Sequence, residues 1–207
     1  MLLLYAVTDT AWLNGKTLAY QVEEALKGGV TAVQLREKEL GFEPFLQEAL
    51  ELKEICKRYA VPFIINDNAE VAFACGADGI HIGQRDLDLA SVRKMLGNDV
   101  IIGVSAQTVE QAKKAAAGGA DYLGIGTVFP TSTKLDAENV PPEDLRGICS
   151  AVSIPTVAIG GISEHNIQKL KGTGARGVAV VSAIFADSDV AGAARRLKKL
   201  ALETVNL

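Results

Sequence analysis

Eight times along this chain a short run of Val, Ile, Leu and Ala gives way to a longer amphipathic run. The short runs predict strands at Leu2–Thr8, Ala32–Arg36, Pro62–Asn66, Gly79–Gly83, Val100–Ser105, Tyr122–Val128, Pro155–Gly160 and Val178–Ser182. Between and after them, apolar residues three and four apart predict helices at Leu18–Lys27, Phe42–Tyr59, Asn68–Cys75, Leu89–Leu96, Val109–Ala117, Pro142–Ala151, Glu164–Lys171 and Val190–Thr204. Asp67 or Asn68, Thr108 and Ser163 stand where N-caps belong, and Gly76, Gly119 and Gly172 or Gly174 follow helix ends. The last four strands are nearly continuous apolar runs, which suits parallel strands covered on both faces.

A phrase recurs at the helix-to-strand joints: GGV at Gly28–Val30, GADGI at Gly76–Ile80, GADYL at Gly119–Leu123 and GARGV at Gly174–Val178. Eight strand–helix units predict a single-domain (β/α)8 TIM barrel over residues 1–207. At about 26 residues per unit it is compact beside the ~250 residues of a typical barrel. An open doubly wound sheet is the other arrangement, but no GxGxxG opens a helix.

Composition narrows the function. Of the residues, 48% are hydrophobic and only 5% aromatic, so the core is mainly aliphatic. A net charge of −4 argues against a nucleic-acid or anionic-membrane binder and makes any anion site a local cluster. Cys56, Cys75 and Cys149 fit neither a disulfide framework nor a zinc pattern. No apolar run approaches the roughly 20 residues of a membrane span, and the N-terminus has no leader pattern. A cytoplasmic protein acting on small molecules is expected, with oligomeric state left open.

In a barrel the chemistry lies at the C-terminal ends of the strands. Strand 2 runs out through Gln34, Arg36 and Lys38, which alternation puts on one side, with Leu35 and Glu37 on the other. Two cations and an amide make an anion site; the alternative is a solvated charge run. Asp67 and Asp86 follow strands 3 and 4 as a pair of hard oxygen ligands suited to Mg²⁺, with Asp88 a less favoured candidate. Their competing readings are a helix cap and a turn carboxylate. His81 lies within strand 4 and reads as an inward histidine holding a hydrogen bond. Ser105 after strand 5 offers a phosphate donor or is merely small. Strand 6 leads into GIGTVFPTSTK, where Thr131, Thr133 and Lys134 are ligand candidates. Glycines after strand 7 and backbone N–H groups after strand 8 complete a barrel phosphate site. One neutral phosphate site and one cationic, metal-assisted site predict an enzyme that joins a phosphorylated acceptor to a diphosphate-activated donor. No GxSxG elbow and no Ser/His or Cys/His pair is legible.

The segments VQLREK, INDNAEVAFACGADGIHIGQRD, GVSAQT, GADYLGIGTVFPTSTK, VAIGGI and GVAVVSAI closely resemble the thiamine-phosphate synthase family, in order over essentially the whole chain. The resemblance implies a (β/α)8 barrel that condenses hydroxymethylpyrimidine diphosphate with hydroxyethylthiazole phosphate, releasing pyrophosphate, with Mg²⁺ required. It implies that Gln34, Arg36, Lys38 and Asn66 face the pyrimidine diphosphate and that Asp67 and Asp86 hold Mg²⁺. Ser105 and Lys134 are then on the pyrophosphate side. Thr131 and Thr133 face the thiazole phosphate, with Gly161, Val181 and Ser182 helping to hold it. Arg36, Lys38, Ser105 and Lys134 form the catalytic set of a dissociative substitution that needs no protein nucleophile. The chain departs from the family pattern at Gln107, where His is common, and at Gly126-Thr127, where Gly-Pro is common. Alternatives on the same fold are a thiazole tautomerase-like paralogue and a non-catalytic phosphate-ligand sensor. A sugar-phosphate epimerase lacks its acid/base pair here.

Overall fold

The computed structural model describes residues 2–13, 15–131 and 139–205. Eight strands close into a parallel barrel in chain order. They are β1 (Leu4–Val7), β2 (Ala32–Leu35), β3 (Phe63–Asn66), β4 (Gly79–Ile82), β5 (Ile101–Ala106), β6 (Tyr122–Ile125), β7 (Thr156–Ile159) and β8 (Gly177–Val180). Around them lie α1 (Leu18–Lys27), α2 (Phe42–Arg58), α3 (Ala69–Cys75), α4 (Leu89–Leu96), α5 (Val109–Ala117), α6 (Pro142–Ser150), α7 (Ser182–Phe185) and α8 (Val190–Thr204). The pairing of β8 with β1, Leu4 opposite Val178, closes the ring.

Local chemistry explains the boundaries. Asn68 accepts a hydrogen bond from the Val71 N–H and starts α3, so Asn68, and not Asp67, is the cap. Thr108 starts α5 in the same way, and Asp88 starts α4. Gly76 ends α3 in the left-handed conformation, φ 61°. Two expectations fail. The helix read over Glu164–Lys171 is only a 3-10 turn at Ile167–Leu170, and Ser163 does not cap it. Instead, the Asn166 side chain accepts from the Ser163 N–H and donates to the Gly161 carbonyl, so it is bound to the loop ahead of the turn. Conversely, the short α7 at the end of β8 has no counterpart among the expected helices; at four residues it is too short to show a periodicity. Strand β6 also stops at Ile125, earlier than the expected Val128.

Strand alternation divides the core in two. Leu4 and Ala6, Val33 and Leu35, and Phe63 and Ile65 point outward and pack with the helices in the larger core. Tyr5, Val7, Ile64, Tyr122, Val157 and Ala179 point inward and fill the barrel. Only a narrow interior remains, and glycine makes room in it for large polar side chains. A Cβ at Gly103 would run into the ring of Tyr122, and one at Gly124 would sit 2.8 Å from His81 Cε1. Among the described residues, no helix is long and apolar enough to cross a membrane.

Candidate active site

The strand ends surround a cavity of about 560 Å³. That is the size of a small-molecule site. Gln34, Arg36, Lys38, Asn66, Asp67, Asp86, Ser105, Thr131, Gly161, Val181 and Ser182 all line it. Thr133 and Lys134 lie outside the described residues. Alternation at β2 works as expected: Gln34, Arg36 and Lys38 reach the cavity, while Leu35 is buried among the helices.

One side of the cavity is charged. Lys38 Nζ donates to Asp67 Oδ2 at 2.7 Å, and Arg36 Nη1 lies 3.9 Å from Asp9 Oδ2. Asp86 Oδ2 accepts the Gly83 N–H at 2.6 Å. The carboxyl groups of Asp67 and Asp86 are within hydrogen-bonding reach of each other. Burial pushes both upward, but at Asp67 the hydrogen bond from Lys38 and the one with Asp86 outweigh it and hold the pKa below the usual value. At Asp86, burial and then its neighbour Asp67 raise the pKa. The two carboxyls are thus shifted in opposite directions, with Lys38 bonded to Asp67. Two hard oxygen donors on adjacent strand ends fit a divalent cation that keeps water and substrate phosphate as its other ligands. Asp88, the less favoured candidate, spends its carboxylate on Ser91 N–H and hydroxyl. Beside this charge, Asn66 is only 8% exposed, and its Nδ2 lies near enough to Asp67 to help lower that carboxyl's pKa without completing a hydrogen bond among the described residues. A buried amide donor left open at a cavity wall is a place for a ligand acceptor.

The opposite side is neutral. Gly160 and Gly161 follow β7 at φ 103° and 61°, conformations that glycine adopts without strain. A Cβ at Gly161 would collide with the Pro130 carbonyl, so this loop and the one after β6 close on each other only around glycine. The Asn166 amide pins Gly161 through its carbonyl at 2.8 Å. At the end of the neighbouring strand, α7 follows Val181, whose side chain makes no cap hydrogen bond. This is the arrangement that holds monophosphates in many barrels.

The floor is a chain of polar side chains from β1, β2, β4, β5 and β6. Gln34 Nε2 donates to the Tyr5 hydroxyl at 2.8 Å, and the hydroxyls of Tyr5 and Tyr122 are 2.9 Å apart. Tyr122 lies 3.0 Å from His81 Nδ1, and His81 Nε2 lies 2.9 Å from Ser105 Oγ. Burial pushes the phenol of Tyr5 and that of Tyr122 well above the usual value, so both stay protonated. His81 is thus the inward, hydrogen-bonded histidine that was expected. The absence of a Ser/His pair is overturned: β4 and β5 bring together two residues 24 apart in sequence. At Nδ1 the imidazole meets the phenol of Tyr122. Tyr5 and Tyr122 read as core in the strand pattern, and only barrel closure reveals their polar ends.

These features define a (β/α)8 barrel whose rim is built for anions, one side with charge and the other with backbone. The family model described as thiamine monophosphate synthase matches residues 4–184, and the chain belongs to that family of transferases. It is 51% identical to the thiamine-phosphate synthase of Ruminiclostridium cellulolyticum over 197 residues, which is 95% of this chain and 94% of the relative. It is also 51% identical to that of Clostridium tetani over 194 residues, 94% and 93% of the two chains. Among solved structures, a thiamine phosphate pyrophosphorylase from Pyrococcus furiosus superposes with a TM-score of 0.91 at 38% identity, covering 98% of this chain and 96% of its own.

Proposed function

We propose that this protein is a thiamine-phosphate synthase that condenses hydroxymethylpyrimidine diphosphate with hydroxyethylthiazole phosphate, giving thiamine phosphate and pyrophosphate, with Mg²⁺ held by Asp67 and Asp86. One observation carries the reading: a single cavity has Arg36, Lys38, Asp67 and Asp86 on one wall and Gly160, Gly161, Val181 and Ser182 on another. The first wall suits a diphosphate and the second a monophosphate. Bound Mg²⁺ would neutralise charge on the departing pyrophosphate. Arg36 and Lys38 donate charge-assisted hydrogen bonds to the same group, and Asn66 Nδ2 and Ser105 supply neutral ones. Gln34 faces the pyrimidine. Thr131 belongs to the thiazole phosphate side; for Thr133 and Lys134, outside the described residues, the reading keeps the thiazole phosphate and pyrophosphate roles that the family resemblance implies.

The substitution is dissociative in this reading. The methylene C–O bond breaks and its electron pair leaves with pyrophosphate; the aminopyrimidine ring spreads the positive charge. The lone pair of the thiazole nitrogen then forms the C–N bond. The protein binds, orients and neutralises, and no side chain forms a covalent bond. The three cysteines are free, as suits a cytoplasmic enzyme.

The test is a coupling assay with purified protein, both substrates and Mg²⁺. Thiamine phosphate that disappears on adding chelator is expected. Binding of both substrates without product would overturn the reading in favour of the sensor or the tautomerase-like paralogue.

A further inference from the structure

Each hydroxyl on the cavity floor has one proton to give, and a neutral imidazole has one N–H. Tyr5 accepts from Gln34 Nε2, and in a relay that starts from this bond its own proton goes to Tyr122. Tyr122 then gives its proton to His81 Nδ1, and His81 donates from Nε2 to Ser105 Oγ. The opposite order would have the Tyr5 oxygen accept from both Gln34 and Tyr122 and leave the Tyr5 proton without an acceptor in the chain of bonds. We propose that Gln34, Tyr5, Tyr122 and His81 form a one-way hydrogen-bond relay that holds His81 as the Nε2–H tautomer and leaves the Ser105 proton to point into the cavity.

Tyr5, Tyr122 and His81 are positioning residues in this scheme; Ser105 is the group that touches the ligand. With Nε2 carrying the proton, His81 has no lone pair for the Ser105 hydroxyl. Ser105 is therefore a hydrogen-bond donor to an anionic ligand and not a nucleophile primed by a base. The orientation of the Gln34 amide decides the direction. If its carbonyl faced Tyr5, each link would reverse and Ser105 would become an acceptor toward the cavity. Gln34 and Ser105 are thereby coupled across the floor through Tyr5, Tyr122 and His81. The catalytic consequence rests on the proposed function, whereas the relay itself is measurable without turnover.

The chain has two histidines, and His165 is exposed. In full-length protein labelled with ¹⁵N-histidine, the His165→Gln variant identifies the His81 ring signals. The wild type is expected to show a protonated Nε2 and an unprotonated Nδ1. Gln34→Glu at about pH 8, where a carboxylate accepts from Tyr5, is expected to reverse the tautomer. Tyr5→Phe cuts the link and is expected to give a mixture of tautomers. It should also lower kcat about tenfold with little change in KM. A wild-type Nδ1–H tautomer, or an unchanged tautomer in Gln34→Glu, would overturn the relay. Normal kcat in a Tyr5→Phe protein whose tautomer is mixed would overturn its role in presenting Ser105. If the wild-type tautomer is as stated and no thiamine phosphate forms, the relay stands and the proposed function falls.

Discussion

Asp67 adopts φ 62°, in the left-handed region that few residues other than glycine enter. Asp tolerates that conformation better than most side chains, and here it turns the carboxylate toward Lys38 and Asp86. Local strain at such a position is typical of a working residue. Asp67→Ala and Asp86→Ala are each expected to lower turnover by about a hundredfold or more and to remove the dependence on Mg²⁺. A titration of rate against Mg²⁺ checks both; unchanged profiles would remove the metal assignment. Asp67→Asn separates charge from backbone, because Asn also tolerates the left-handed region. It should unfold like the wild type in urea yet lose Mg²⁺ activation. The candidate ligands were legible as residue types at strand ends. The pairing of Asp67 with Lys38 was not, since the two are 29 residues apart in sequence and meet only when β2 and β3 lie side by side.

At the scale of elements, β2 leads into α2 with Glu37 turned away from the cavity against Glu48. Burial, then the charge of Glu37 and the hydrogen bond to it, push Glu48 up to about 7. Burial raises Glu37 as well. A raised carboxyl stabilises the fold while it is protonated. Its contribution is complete below its unfolded value of 4.5 and is lost as pH rises through about 7. Because Glu48 is partly exposed, the loss is on the order of 1 kcal/mol after solvent screening. Glu48→Gln should flatten this fall between pH 5 and 8 in chemical denaturation; an unaltered slope would exclude the pair as its source. The β5–β6 pair offers a steric prediction. Gly103→Ala forces a methyl group into the Tyr122 ring and should cost about 2 kcal/mol, read from the denaturation midpoint. The helix expected at Glu164–Lys171 shows where reading by period stops. Ile167 and Leu170 are buried as the spacing demands, but a single 3-10 turn buries them just as well. The hydrogen bonds of Asn166 to the preceding loop are tertiary choices that the apolar period does not contain.

For the whole molecule, the barrel ring brings all eight strand ends to one mouth, so a ligand there touches distant parts of the chain at once. A ligand that binds only the folded state stabilises it by mass action. Mg²⁺ with pyrophosphate at a hundred times its dissociation constant should raise Tm by about 5–10 °C. The same addition to Asp67→Ala should give a much smaller rise, and an equal rise in both proteins would place the anion elsewhere. The repeating strand–helix pattern by itself determined the barrel class and put candidate residues at strand ends, where those among the described residues line the cavity. Alternation along a strand and position at its end are local properties, and eight consecutive βα units admit few topologies. What only the tertiary structure decided were the contacts across the ring. The relay from Gln34 to Ser105, the Asp67–Asp86 pair and the glycines that make room for Tyr122 and His81 depend on register and closure. Those are set by packing between segments far apart in the chain, and no window of sequence contains them.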